Sequence, residues 1–269
     1  MLKKLDLRMR KSIVCTDNMD LIRRQPARKV AGVESIVNEP NISKKWNMLA
    51  SIKDPELQFQ LAQHPHWEVR NSLARFNKQL TPEVQQILAS DNHPYVRSNI
   101  AKHTTIPEVQ SILAKDRELG VRLSLSGNEH LTKEVQILLA QDQSRDIRQA
   151  LALQGNNLNG QVIQMLLKDK SPYVRWTLAH TNKSTDPELF QALVRDRSSK
   201  VRIRVVERLR DLDQKSAEVM HTVLEKDSDP EVKEALKRED LDRRTMAELP
   251  GVMKQLRRNA YMDAVMRII

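Results

Sequence analysis

The chain has 269 residues, a formal charge of +10, one cysteine, six glycines and only 3% aromatic residues. The lone cysteine, Cys15, excludes a disulfide framework and a cysteine-based zinc or iron–sulphur site within a monomer, and the glycines form no phosphate-cradling loop. No stretch approaches the roughly 18 apolar residues of a membrane helix and the basic start lacks the apolar run of a secretion signal, so a soluble, cytoplasmic protein is expected.

Residues 1–45 read as a basic N-terminal arm or cap. Residues 1–53 hold 12 Lys/Arg against 5 Asp/Glu, with Arg23 and Arg24 at the centre of the arm and Pro26 and Pro40 interrupting it. Two readings stand here. The arm binds an acidic partner (nucleic acid, lipid or protein), or it is a solubilising segment that caps the repeats. A helix starting near Trp46 is expected to cover the first repeat, because terminal repeats need an atypical cover.

From Asp54 to Lys237 the chain repeats itself. An Asp-x5-Arg pattern recurs as Asp91/Arg97, Asp116/Arg122, Asp142/Arg148, Asp169/Arg175 and Asp196/Arg202, with Asp227/Lys233 as the last copy. With Arg70 included, the basic residues step by 27, 25, 26, 27, 27 and 31. A fixed period of this size is the mark of stacked two-helix units. Counting back from each Asp, apolar residues fall at minus seven, minus four and minus three, for example Val84, Ile87 and Leu88, which is one face of a short helix. Asp54-Pro55-Glu56, Thr81-Pro82-Glu83 and Asp186-Pro187-Glu188 supply a capping residue, a proline at the first helical position and an acid that suits the helix dipole.

A second apolar stripe follows each Asp, as in Val96/Ile100/Ala101, Ile147/Leu151/Ala152 and Val174/Leu178/Ala179. It ends near Asn77, Asn128, Asn156 or Asn182, read as residues that close a helix in the left-handed conformation. The first unit carries His64 where the Asp belongs. The long last step points to an insertion within residues 203–215. Residues 238–269 read as a C-terminal cap of two helices, Leu241–Leu249 and Val252–Ile269, split by Pro250-Gly251.

The quoted pattern, Pro82-Glu83-Val84, Ile87-Leu88-Ala89, Asp91 and Val96-Arg97 through Ile100-Ala101, resembles the leucine-rich-repeat variant and the wider HEAT-like families of short helical repeats. The resemblance covers roughly Asp54 to Lys237. It implies an all-α, right-handed α-solenoid of about six to seven two-helix repeats of about 26 residues, with helical caps. It implies no single function; one known variant-repeat protein carries an amino-terminal iron–sulphur cluster held by several cysteines, which the lone Cys15 does not supply, so no cofactor is expected.

The recurring acids and bases read as structural, because catalysis does not recur on a fixed period and stacking does. Each Asp is expected to accept backbone or Arg hydrogen bonds at its turn, and each Arg to reach its own or the neighbouring unit's Asp. The segment Arg195 to Arg210 is the best local functional signal. With Arg202 assigned to the ladder, Arg195, Arg197, Lys200, Arg204, Arg208 and Arg210 remain as a surface that grips phosphates or is only a solvated helix face.

Trp67, Tyr95, Tyr173 and Trp176 lie beside the Val-Arg positions but at differing offsets, so the base-excision chemistry of some HEAT-like glycosylases finds no matching motif. His64 and His66 lack a third ligand, and no metal is expected. The reading is therefore a non-catalytic scaffold for a macromolecular partner, foremost a protein, contacted through second-helix positions such as Ser98, Asn99, Gln149, Trp176 and Thr177. Nucleic-acid binding through the basic arm and the Arg195–Arg210 face is the alternative.

Overall fold

A computed structural model describes residues 31–182 and 187–248. Residues 1–30 of the arm, with Cys15, Arg23 and Arg24, the cap at Asp186, and the helix expected over Val252–Ile269 lie outside the described residues, whereas residues 31–45 of the arm hold the helix Ala31–Val37 and the start of the helix Ile42–Ser51. The described residues form sixteen α-helices and no strand. Two compact units divide the chain, residues 1–96 and 97–269.

The first unit contains α1 (Ala31–Val37), α2 (Ile42–Ser51), α3 (Pro55–Ala62), α4 (Trp67–Phe76) and α5 (Pro82–Ala89). The division falls inside α6 (Pro94–Ala101). The second unit continues with α7 (Pro107–Leu113), α8 (Leu119–Ser126), α9 (Lys133–Ala140), α10 (Arg145–Ala152), α11 (Gly160–Leu167) and α12 (Pro172–Thr181). It ends with α13 (Pro187–Leu193), α14 (Ser199–Glu207), α15 (Gln214–Glu225) and α16 (Pro230–Glu248). Within the second unit, α7, α9, α11, α13 and α15 pack in one row and α8, α10, α12, α14 and α16 in another, each first helix also touching its own second helix.

Local chemistry sets these boundaries. Asp54 accepts the Glu56 amide at 3.0 Å and Thr81 the Val84 amide at 3.4 Å, each just before a proline that starts the helix. Helices of seven to ten residues are marginal alone, so burial must hold them. Val96, Ile100, Val121, Leu125, Ile147, Leu151, Val174 and Leu178 on the second helices are wholly buried. Each such side chain contributes about 1.5–3 kcal/mol relative to exposure.

The structure departs from the sequence reading in four places. On the first helices the minus-seven and minus-three positions are buried, as in Val109 and Leu113, but the minus-four position is not: Ile112 is 47% and Leu138 36% exposed. Inside the second unit a first helix such as α9 is flanked by the first helices before and after it as well as by its partner. Its buried face is therefore turned away from the minus-four row.

The asparagines are not left-handed caps. Asn77 and Asn182 have φ of −85° and −72°, and among the described residues only Gly155, at 54°, is left-handed. A Cβ at Gly155 would meet the Thr181 carbonyl oxygen at 2.6 Å, so this turn approaches the next pair too closely for a side chain.

The long last step is an extra turn of helix. α15 begins thirteen residues before Asp227, whereas α5, α7, α9 and α11 begin nine before their Asp. The four added residues lie at the start of α15, beyond the expected 203–215 window apart from Gln214 and Lys215. Finally, residues 241–248 continue α16 instead of starting a helix of their own.

Burial makes Leu125→Ala and Leu123→Ala a discriminating pair, since the first side chain is wholly buried and the second 43% exposed. In denaturant unfolding followed by circular dichroism, Leu125→Ala lowers stability by about 2–5 kcal/mol, and Leu123→Ala by well under half of that.

Candidate functional site

The turn between the two helices of each unit carries the recurring acid and base. Arg148 donates from Nε to Asp169 Oδ2 at 2.6 Å and from Nη2 to Oδ1 at 3.2 Å. Arg175 meets Asp196 in the same way at 2.5 and 2.8 Å, and Arg202 meets Asp227 at 2.6 and 2.8 Å. Arg97 with Asp116 and Arg122 with Asp142 complete the set in the second unit, and Arg70 with Asp91 forms the pair of the first unit. Each Arg thus binds the carboxylate of the following unit. Its Nη1 turns back to its own turn: Arg148 donates to Asp142 O at 2.8 Å, and Arg175 to Asp169 O at 2.6 Å.

Each carboxylate also holds its own turn, its Oδ1 accepting the amide two residues on, from Ser144, Ser171 and Ser198 at 2.8 Å each. The Arg202 hydrogen bond holds Asp227 below the usual carboxylate range. At Asp116 burial pushes the other way, but the Arg97 bond and the Glu118 amide win and the group is also lowered. The Asp169 bond raises Arg148 despite its burial.

His64 replaces the acid in the first unit. Its Nδ1 accepts the His66 amide at 3.1 Å, and burial lowers its pKa, which favours the neutral ring this bond needs. Arg70 still reaches back to His64 O at 2.6 Å and forward to Asp91, so an Arg is present in this unit although its acid is not. Lys233 makes no ion pair among the described residues. It acts on Asp227 only through space.

Two further sets of inter-unit bonds escaped the sequence reading. Gln110 Nε2 donates to Thr104 O and His130 O, both at 2.8 Å, while its Oε1 accepts the Thr132 amide at 3.0 Å. Gln58 and Gln136 make the same clamp to the next first helix. The signal was present as a glutamine six residues before His64, Asp91, Asp116 and Asp142. At the far end of the second helices, Asn128 Nδ2 donates to Ala101 O and Thr104 O of the preceding unit at 2.9 Å each. Gln154, Thr181 and Arg208 occupy that end in the later units, each bonding a carbonyl of the unit before.

The basic segment does not form one face. Arg208 is 6% exposed, bonded to Ala179 O, Asn182 O and Asp211. Arg210 pairs with Glu239 at 2.5 Å, and burial raises that carboxyl against the pull of Arg210. Arg204 pairs with Glu207, contacts His180 Nδ1 and lies 5.5 Å over the Trp176 ring. Burial, then Arg204 and Arg208, lower the pKa of His180.

Arg195, Arg197 and Lys200 remain at the surface, at and just after the α13–α14 turn. Trp176, 36% exposed, stacks on His180 at 5.2 Å, but Thr177 is 1% exposed and accepts a bond from Gln149, so it is not available to a partner. In the first unit Trp67 stacks on His93 at 3.7 Å, with Tyr95 beside them. The His64 and His66 rings lie 5.4 Å apart, and no cluster of three metal-ligating side chains exists among the described residues. No helix among them is long and apolar enough to cross a membrane.

These features define an all-α helical-repeat solenoid whose recurrent polar residues join one helix pair to the next. The same fold is seen in a solved structure described as a leucine-rich repeat variant with a novel repetitive protein structural motif, which is 22% identical. The TM-score is 0.50, over 77% of this chain and 79% of that one. No family model and no curated protein matches the sequence.

Asp169 sits in a pair whose two side chains are 5–6% exposed, while Asp146 and its partner Arg145 are both about half exposed. Asp169→Ala leaves a buried guanidinium uncompensated and lowers stability by about 3–5 kcal/mol, against about 0–1 kcal/mol for Asp146→Ala. Equal losses in denaturant titrations would contradict the ladder.

The lowered pKa of Asp227 also sets a pH dependence. The unfolded carboxyl binds its proton near pH 3.9, so the contribution of this pair is complete at neutral pH and fades as the pH falls below about 4. Urea midpoints measured from neutral pH downward fall in that window, and Asp227→Asn removes part of the slope.

Proposed function

We propose that this protein is a non-catalytic helical-repeat scaffold that binds a macromolecular partner, foremost a protein, along the second helices of the second unit. One observation carries the reading. Leu119 and Leu123 on α8, Leu153 at the end of α10, and Tyr173 and Trp176 on α12 are 36–61% exposed on three second helices that pack side by side. Apolar side chains displayed in series on a rigid surface suit a broad protein contact.

The recurrent carboxylates support a non-catalytic role, because their oxygens are already committed to the guanidinium of the unit before and to a backbone amide of their own turn. A reducing cytoplasmic setting accompanies this reading, in keeping with the single cysteine.

Leu123→Glu combined with Leu153→Glu leaves the helical signal and the melting temperature close to those of the parent, since both side chains are exposed. Affinity capture with parent and variant, compared by quantitative mass spectrometry, is expected to lose a defined set of partners by tenfold or more. Identical captures would overturn the assignment of this face.

A further inference from the structure

We propose a single-stranded nucleic-acid site at two adjacent turns of the second unit, the α11–α12 turn and the α13–α14 turn, which shares Tyr173 with the apolar surface of the second helices but uses neither Leu123 nor Leu153. Lys168 and Lys170 lie on the first turn, Arg195 and Arg197 on the second and Lys200 just after it in the first turn of α14, and all five are exposed. Lys168, Lys170 and Lys200 make no ion pair among the described residues. The only carboxylates in these two turns, Asp169 and Asp196, are held by Arg148 and Arg175. The ladder therefore removes the negative charge that would offset the five cations, and the net field at these turns is positive.

The site is a shallow, open depression whose walls include the paired carboxylates Asp169 and Asp196. A cavity of about 320 Å³ opens between the turns, with Lys168 and Arg197 among its walls, and Arg197 Nη2 donates to Lys170 O at 2.9 Å, fixing the two turns against each other. Neighbouring layers of helices stand about 8–10 Å apart, so the cations lie close enough to contact successive phosphates of one strand.

The aromatic neighbour favours a single strand over a duplex. Tyr173, in the first turn of α12, is 52% exposed, with the Arg145 guanidinium 5.5 Å from its ring. Unpaired bases stack on such a ring, whereas the bases of a duplex are already stacked on one another. An acidic peptide would satisfy the cations and leave Tyr173 unused.

Fluorescence anisotropy of the full chain with a labelled single-stranded oligonucleotide of about 20 nucleotides tests this, alongside the matching duplex and polyglutamate of similar length. The single strand is expected to bind more tightly than either. Four neutralised phosphates predict a loss of about 50-fold between about 50 and 200 mM salt. Lys168→Glu/Lys170→Glu/Lys200→Glu, which breaks no ion pair, is expected to weaken binding tenfold or more, and Tyr173→Ala several-fold, with melting temperatures unchanged. Lys102→Glu, outside these turns, is expected to have little effect.

Absence of binding at low salt, or full binding by the triple variant, would overturn the site. Equal or tighter binding of polyglutamate or duplex would overturn the assignment to a single strand. None of these results bears on Leu123 and Leu153, so the scaffold reading stands or falls separately.

Discussion

A guanidinium that grips the carboxylate of the next helix pair and the carbonyl of its own turn is the interaction on which the rest depends. In water such a pair contributes little, because solvent already satisfies both charges. Here the charges are nearly buried, and the arginine fork meets two carboxylate oxygens while a third donor holds the turn. The net stabilisation of a buried pair is modest once desolvation is counted, but its directionality is not. Leucine and valine tolerate sliding; a bidentate pair does not. The apolar rows supply the bulk of the cohesion, and the ladder sets the register in which they pack.

That division of labour explains why helices of seven to ten residues persist. They are fixed along up to three lines: the ion pairs at the inter-helix turn, the glutamine clamps of Gln58, Gln110 and Gln136 between first helices, and the asparagine, glutamine, threonine or arginine bonds at the far end of the second helices. The bonds run mostly to backbone carbonyls that a helix end leaves unmet. The joints therefore serve capping and stacking at once, and side chains facing outward from the second helices are left to vary.

Much of this was legible in the sequence because periodicity amplifies a weak signal. A single Asp-x5-Arg means little, and five in register identify a stack. What stayed hidden depends on three-dimensional neighbours. The asparagines at helix ends suggested a local backbone role, but their amides reach carbonyls about 25 residues earlier, which no local rule anticipates. The glutamines recur in the first four units, at Gln58, Gln85, Gln110 and Gln136, yet polar residues within a helix read as solvent-facing until the adjoining unit buries them. The run from Arg195 to Arg210 looked like one surface because charge was counted along the chain. Folding sends Arg204, Arg208 and Arg210 into internal bonds and brings Lys170 from the preceding turn beside Arg197.

The one-unit offset of each pair gives the array a polarity with a modular corollary. Because Arg122 reaches Asp142 and Arg148 reaches Asp169, excising one full period between equivalent positions would present Arg122 to Asp169 with every donor still matched. Copying a period would do the same. A change that carried an Arg out of reach of the next Asp would instead strand a charge, whereas the extra turn of α15 leaves Arg202 on Asp227, so length varies within a helix while the joint is kept as the ruler.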